Sequence, residues 1–285
     1  MQKHLTRRTS RTKSQQSLAD HLDGLVVKYN NPDFIKGDPI SLPHKFTKLQ
    51  DREIIGFWTA MLSWGQRKTI INKAEELLLL MHNSPYDFIL HHKEDDLKRF
   101  ADFKHRTFNY TDTLWFIYFL RSFYAEHNSL EEAFLCEGFR EEVHVEKMLI
   151  HFHNLFFSDR DAPQRTKKHI PTPASKSACK RLNMFLRWMV RKDNAGVDFG
   201  CWQQIQPSQL ICPLDVHVER VARKLGLLTR KQTDWDAAIE LTENLRMFDH
   251  SDPVKYDYAL FGSGVMEKHV LDSEKKAIIN IHGRK

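Results

Sequence analysis

Residues 211–228 read Ile211-Cys212-Pro213-Leu214-Asp215-Val216-His217-Val218-Glu219-Arg220-Val221-Ala222-Arg223-Lys224-Leu225-Gly226-Leu227-Leu228, a short amphipathic helix with an acid at its mouth. Val218, Val221, Ala222 and Leu225 recur at i, i+3, i+4 and i+7, which predicts one buried helical face, and Gly226 is a natural stop. Asp215 falls at the helix start, where a side-chain oxygen caps orphan amides and contributes about 1 kcal/mol. Pro213, two residues upstream, fits that placement, while Val218 at the third helical position excludes a reciprocal capping box. On the helix alone Asp215 is a cap. A chemical role for it depends on the segments that come before.

Working upstream, 193–212 is an insertion-like loop containing Trp202 and Pro207. Before it, Leu182, Phe185, Leu186, Met189 and Val190 form another helical face, with Lys180 in the first turn. Residues 158–178 form a polar loop in which Pro163, Pro171 and Pro173 prevent regular structure. Nearer the N-terminus, helical pattern begins near Ser17, pauses at Asn30-Asn31-Pro32, and resumes after a loop through Pro39, Pro43 and His44. A stripe of Ile54, Ile55, Trp58, Met61 and Leu62 stops at Gly65, and a second helix runs from about Thr69 to Asn83-Ser84-Pro85. These two predict a helical hairpin. Shorter pieces follow at 85–91, 94–101, 111–126, 129–136 and 140–157, and later at 234–247 and 253–260, before Gly262-Ser263-Gly264 and a polar tail. Gly (11) and Pro (10) are scarce and Val-Ile-Thr alternation is almost absent, so the fold class is all-α.

With 285 residues, 41% hydrophobic and 11% aromatic, the chain has material for one large domain or two intimate lobes. The formal charge of +6 is concentrated in residues 1–16, where Lys3, Arg7, Arg8, Arg11 and Lys13 stand without an acid. That segment predicts a flexible basic arm and has no apolar run for a secretory signal. The body is close to neutral but uneven. Residues 126–146 are rich in Glu, whereas 165–192 hold nine Lys or Arg and no acid, which suggests either a solvated face or a phosphate-facing strip. Cys136, Cys179, Cys201 and Cys212 are too widely spaced for a zinc ribbon, and His144, His151 and His153 lack a carboxylate or Cys at ligand spacing. No metal and no cofactor is expected. The run Leu114 to Leu120 is too short to span a bilayer.

At this point the order of pieces resembles the helix-hairpin-helix DNA glycosylase superfamily, which includes endonuclease III and the 8-oxoguanine glycosylases. Leu62-Ser63 to Asn72-Lys73-Ala74 is similar to that family's L-S-x-Q-x-T…N-K-A segment. Lys180-Arg181-Leu182-Asn183 resembles the helix carrying the catalytic lysine, and Leu214-Asp215-Val216-His217-Val218 with Arg220-Val221 resembles the segment carrying the catalytic aspartate. Tyr258-Ala259-Leu260-Phe261-Gly262 echoes the closing helix. The whole chain looks closest to an uncharacterised bacterial family, a domain of unknown function, related to these glycosylases. It also departs from the pattern. The hairpin Pro173 to Cys179 has no glycine, Gly65 stands where the duplex-wedging Gln belongs with Gln66 one place late, and the endonuclease III iron–sulfur cysteines are missing. The 35 positions between Lys180 and Asp215 are closer in style to the archaeal 8-oxoguanine glycosylases.

The resemblance implies a basic tail at 1–16, a single unit over 17–275 with two helical lobes and a cleft between them, and a polar tail at 276–285. One lobe would span about 51–175, and the terminal helices would form the other. It implies a base-excision glycosylase acting on damaged bases in duplex DNA, most plausibly oxidised purines, with abasic-site lyase activity. Lys180 and Asp215 would be catalytic. Gln66, Arg67, Lys68, Lys176, Ser177, Arg181 and Arg220 would contact DNA. Arg106 is a further phosphate candidate. Trp64 and Trp188 would line a base pocket, with Trp202 as a further stacking candidate. The expected setting is the bacterial cytoplasm, at the nucleoid. Two other readings stay open, a non-catalytic nucleic-acid-binding module on the same scaffold and a helical interaction protein that uses its Glu-rich segment.

Overall fold

The computed structural model describes residues 12–266, and over this span the chain is all-helical, with two isolated β-bridges and no strand. The α-helices are α1 (Lys13–Tyr29), α2 (Leu49–Leu62), α3 (Arg67–Leu80), α4 (Pro85–His91), α5 (Tyr110–Tyr124), α6 (Glu146–Phe156), α7 (Lys180–Val190), α8 (Val216–Lys224) and α9 (Trp235–Arg246). A further helix, α10, covers residues 257–266. Short 3-10 turns join them.

Helix α2 is the hub. Every residue from Glu53 to Leu62 is buried, so it is apolar all round in the manner of a central helix, and it packs against α3, α4 and α7. Around it the aromatic side chains interlock. Phe57 stacks on Phe116 with ring centres 5.3 Å apart, and Phe134 lies flat on Phe152 at 4.1 Å. Edge-to-face contacts from Phe152 and Phe185 to Phe57 extend the cluster into α6 and α7. Glu53 is wholly buried here, and burial raises its pKa. Its carboxylate accepts hydrogen bonds from Tyr124 Oη (2.9 Å), Ser129 Oγ (2.6 Å) and Trp202 Nε1 (2.6 Å). Trp202 is therefore a core residue, not a stacking surface.

The amphipathic segments form where their periodicity places them. Helix α8 buries Val218, Val221 and Ala222, and Leu225 is partly covered. It ends in a left-handed Gly226 (φ 69°), with Gly226 N–H donating to Arg223 O (3.1 Å) and Leu227 N–H to Ala222 O (2.9 Å). This is the bond pair of a Schellman stop. The α2–α3 hairpin also forms, turning at Gly65.

Several boundaries differ from the periodicity. Helix α1 opens at Lys13, capped by Thr12 in a capping box with Gln15, so the end of the basic segment is helical. Residues 1–11 and 267–285, with the rest of both expected tails, lie outside the described residues. The pieces at 94–101 and 129–136 are 3-10 turns (Glu94–Phe100 and Leu130–Phe134), and α6 starts at Glu146. At the C-terminal end Gly262-Ser263-Gly264 does not stop the helix. A Cβ on Gly262 would sit 2.4 Å from Tyr29 Cγ, and one on Gly264 would sit 2.9 Å from His217 O. Those glycines admit close packing on α1 and α8, and α10 continues through them.

Candidate active site

Two helix starts and one helix corner meet at a cavity of ≈590 Å³. Helix α7 begins at Lys180 after Cys179, which holds a left-handed backbone (φ 48°), a conformation costing about 1–2 kcal/mol in a non-glycine residue. Buried contacts hold that turn. The Cys179 thiol is 1% exposed, burial pushes it up to about 12, and Asn183 N–H donates to Cys179 O at 2.9 Å. The thiol is thus a packing group. Lys180 points along α7, where its one hydrogen-bond contact among the described residues is Met184 Sδ at 3.7 Å. The ammonium or amine is not tied up by an acid.

Asp215 caps α8. One oxygen, Oδ1, accepts from His217 N–H (2.8 Å) and Val218 N–H (3.0 Å), as the sequence predicts. Oδ2 carries no hydrogen bond among the described residues, and Asp215 lines the same cavity as Lys180. The cap geometry sets one oxygen against the helix amides and leaves the other for a ligand. Two residues 35 positions apart are thus brought to one cavity wall.

The α2–α3 corner forms another wall. Ser63 Oγ donates to Thr59 O (2.7 Å) as α2 ends, and Gly65 takes a positive φ of 109°. A side chain at Gly65 would collide with Arg106, whose Nη1 lies 2.8 Å from an ideal Cβ. Trp64 lines the cavity between two guanidinium groups, Arg106 at 5.2 Å and Arg181 at 5.6 Å from its ring. Arg106 is exposed, has a left-handed backbone (φ 56°), and makes this ring contact with no acid partner among the described residues. Gln66, Arg67 and Lys68 are exposed at the start of α3, and the first two line the cavity. Arg67 Nε is 3.9 Å from Asp38 Oδ2, and its guanidinium lies over Phe261 at 5.4 Å. Trp188 is wholly buried against the cavity, and its indole N–H has no hydrogen-bond partner.

Other sequence-predicted contacts fare differently. Arg181 donates to Met61 O and to Lys168 O (3.3 Å), and burial lowers its pKa to about 10, so it ties α7 to α2. Arg220 donates to Gly264 O. At the glycine-free hairpin, Lys176 is exposed with a left-handed backbone, and Ser177 Oγ accepts from Cys179 N–H at 3.2 Å. The basic run 165–192 is not a uniform strip. Arg165 turns inward to Asp112, Arg187 to Asp198 and Asp257, and Arg191 to Asp193, Asp198 and Asp252. Lys167, Lys168, Lys176 and Lys192 remain exposed. In the Glu-rich segment, Glu131 is buried and accepts from the N–H groups of Gln203, Gln204 and Ile205, so one of its acids braces a loop.

Two site residues were missed from sequence, Asp38 and Asp257, and both line the cavity. Asp38 is 7% exposed, its Oδ1 accepts from Ile40 N–H (3.1 Å), and burial raises its pKa. Asp257, in the first turn of α10, is 4% exposed and ion-paired to Arg187 through Oδ2. Burial raises its carboxyl to about 6, with the Asp215 charge adding to the rise and Arg187 and Lys180 opposing it. The available signal was an acid opening an apolar helix, Tyr256-Asp257-Tyr258-Ala259-Leu260.

Among the described residues no helix is long and apolar enough to cross a membrane. No curated protein and no solved structure matches the chain. A family model described as a protein of unknown function, DUF2400, matches residues 38–266, from Asp38 of the cavity wall through α10. The chain belongs to the DUF2400 family.

Proposed function

We propose that the protein is a DNA glycosylase with abasic-site lyase activity on a helix-hairpin-helix glycosylase-like scaffold. The observation that carries this reading is the shared cavity, where Lys180 and Asp215 stand at the starts of α7 and α8 with reactive atoms free of acid and amide partners, respectively. A volume of ≈590 Å³ suits an extruded nucleobase and its sugar. Lys180 Nζ attacks C1′ as the glycosidic bond breaks, and Asp215 Oδ2 stabilises the positive charge that develops on the sugar. Ring opening then gives a lysine imine, the intermediate of the lyase step.

In this reading the cleft separates a lobe of about 51–175 from a lobe of terminal helices. Gln66, Arg67, Lys68, Lys176, Ser177, Arg181 and Arg220 lie on the DNA side, and Trp64 and Trp188 flank the base. Exposed Lys68 and Lys176 fit phosphate contact best. Arg181 and Arg220 act chiefly by holding the site together. Oxidised purines are the proposed substrates, on the loop-length likeness between Lys180 and Asp215.

The test is borohydride trapping on duplexes carrying 8-oxoguanine, uracil, oxidised pyrimidines or an abasic site, with wild type beside Lys180→Ala. A covalent adduct lost in the variant is the expected result. An adduct that persists in Lys180→Ala overturns the nucleophile. Salt-dependent duplex binding with neither adduct nor released base leaves a non-catalytic binding module.

A further inference from the structure

We infer that Asp257 is the proton donor to the departing base, an acid separate from Asp215. The inference rests on the glycosylase reading above. The cavity holds three carboxyl groups, Asp38, Asp215 and Asp257. Asp38 faces Ile40 N–H and Arg67, and the other two stand in contrasting surroundings, the arrangement by which one fold assigns two roles to two acids. Asp215 opens α8, and two amide N–H groups face its Oδ1, a setting that suits a fixed negative charge. Asp257 has no such amides. Its Oδ2 meets Arg187, and its Oδ1 carries no hydrogen bond among the described residues although the residue lines the cavity. The charged and titratable groups around it or on the same cavity wall are Lys180 and Arg187 from α7, Asp215 and Cys212 from the approach to α8, His217 from α8, Arg67 from α3, and Asp38. Burial and the neighbouring Asp215 charge keep the Asp257 carboxyl protonated up to about pH 6. Arg187, which also lines the cavity, is itself fixed by Asp198 (3.3 Å) and so holds Asp257 in place.

The step balances. As the C1′–N bond breaks, its electron pair goes to the base nitrogen, and the Asp257 O–H proton follows, so the base leaves neutral. Lys180 Nζ forms the new bond to C1′, and the proton shed by the attacking amine returns to the Asp257 carboxylate. Asp215 stays charged throughout. On an abasic sugar no base departs: the C1′ oxygen leaves as water when the imine forms, and the two protons shed by the amine supply it, so this reaction depends on Asp257 far less than base release does.

Single-turnover base release from an 8-oxoguanine duplex and borohydride trapping on an abasic duplex separate the two roles. Asp257→Asn is expected to slow base release by about 10²–10⁴-fold, while abasic trapping stays within a few-fold of wild type. Wild-type base release is expected to fall as pH rises through about 6, and the variant is expected to lose that limb. Equal loss of both reactions marks a structural role and overturns the assignment, as does a wild-type profile that stays level through this range. Base release unimpaired in Asp257→Asn overturns it alone, leaving the lysine chemistry intact. Wild type that releases no base and traps no abasic site overturns the glycosylase reading itself.

Discussion

Asp112 in α5 and Asp257 in α10 are both buried acids facing an arginine, yet they are held in opposite ways. Asp112 is wholly buried and receives Asn109 N–H (2.9 Å), Thr166 Oγ (2.7 Å) and Arg165, with His169 Nε2 3.4 Å away. Burial pushes its carboxyl up, but the bonds from His169, Thr166 and Asn109 outweigh that and bring it to about 2. Asp257 has Arg187 as its one hydrogen-bond partner and rises to about 6. Burial is the larger cause of the rise at Asp257, with the Asp215 charge adding to it, and the supply of donors is what reverses the effect of burial at Asp112. A carboxylate with every lone pair answered is a clamp, and one left short beside a cavity is available for proton transfer.

The comparison is sharpened most by removing charge beside Asp257. Asp215→Asn keeps an oxygen for the cap but takes the fixed charge from the cavity, and base release is expected to drop by about 10²–10⁴-fold with little change in melting temperature. Without that charge Asp257 should titrate lower, so the falling limb of the pH profile moves to lower pH. A limb that stays in place breaks the electrostatic link between the two acids. Asp112→Ala is expected to cost about 3–5 kcal/mol by leaving Arg165 and His169 without their acid, read as a lower denaturant midpoint. Base release per folded molecule should be unchanged.

The two acids also predict opposite pH dependences of stability. Asp112 is depressed in the folded state, so its contribution is present above its ordinary value of 3.8 and is lost as pH falls towards about 2. Asp257 is raised, so its contribution is present below 3.8 and is lost as pH rises through about 6. Denaturant titrations from acid to neutral pH check this. Asp112→Asn should flatten the acid limb, and Asp257→Asn should weaken the decline from 3.8 to about 6. The smallest effect is expected at Arg106, which stacks on Trp64 and pairs with no acid. Arg106→Ala should weaken duplex binding and reduce its log–log salt slope by about 1, with the pH profile intact.

The contrast also marks what sequence could reveal. Helices α7 and α8 were legible because their burial is periodic and local, and Gly226 and Asp215 are terminus signals that act within one turn. The same signals place Lys180 and Asp215 at helix starts, whereas their nomination for chemistry rests on the resemblance to the glycosylase segments. The basic run misled because Arg165, Arg187 and Arg191 turn inward to acids, some of them distant in sequence. Arg165 meets Asp112 53 positions away, and Arg187 meets Asp257 70 positions away, a pairing no local window contains. Asp38 and Asp257 were passed over because their importance comes from desolvation, which only the assembled cavity supplies. Gly262 and Gly264 read as a stop until Tyr29 and His217 were found packed against them.

The cavity wall includes Asp38 near one end of the described chain and Phe261 near the other. A nascent polypeptide still on the ribosome therefore cannot possess a finished pocket until α10 has emerged, whatever has already folded behind it. Premature termination or proteolytic clipping before Asp257 should yield material that contains Lys180 and Asp215 but releases no base. On the proposed function, base release is thereby withheld until translation has passed Phe261.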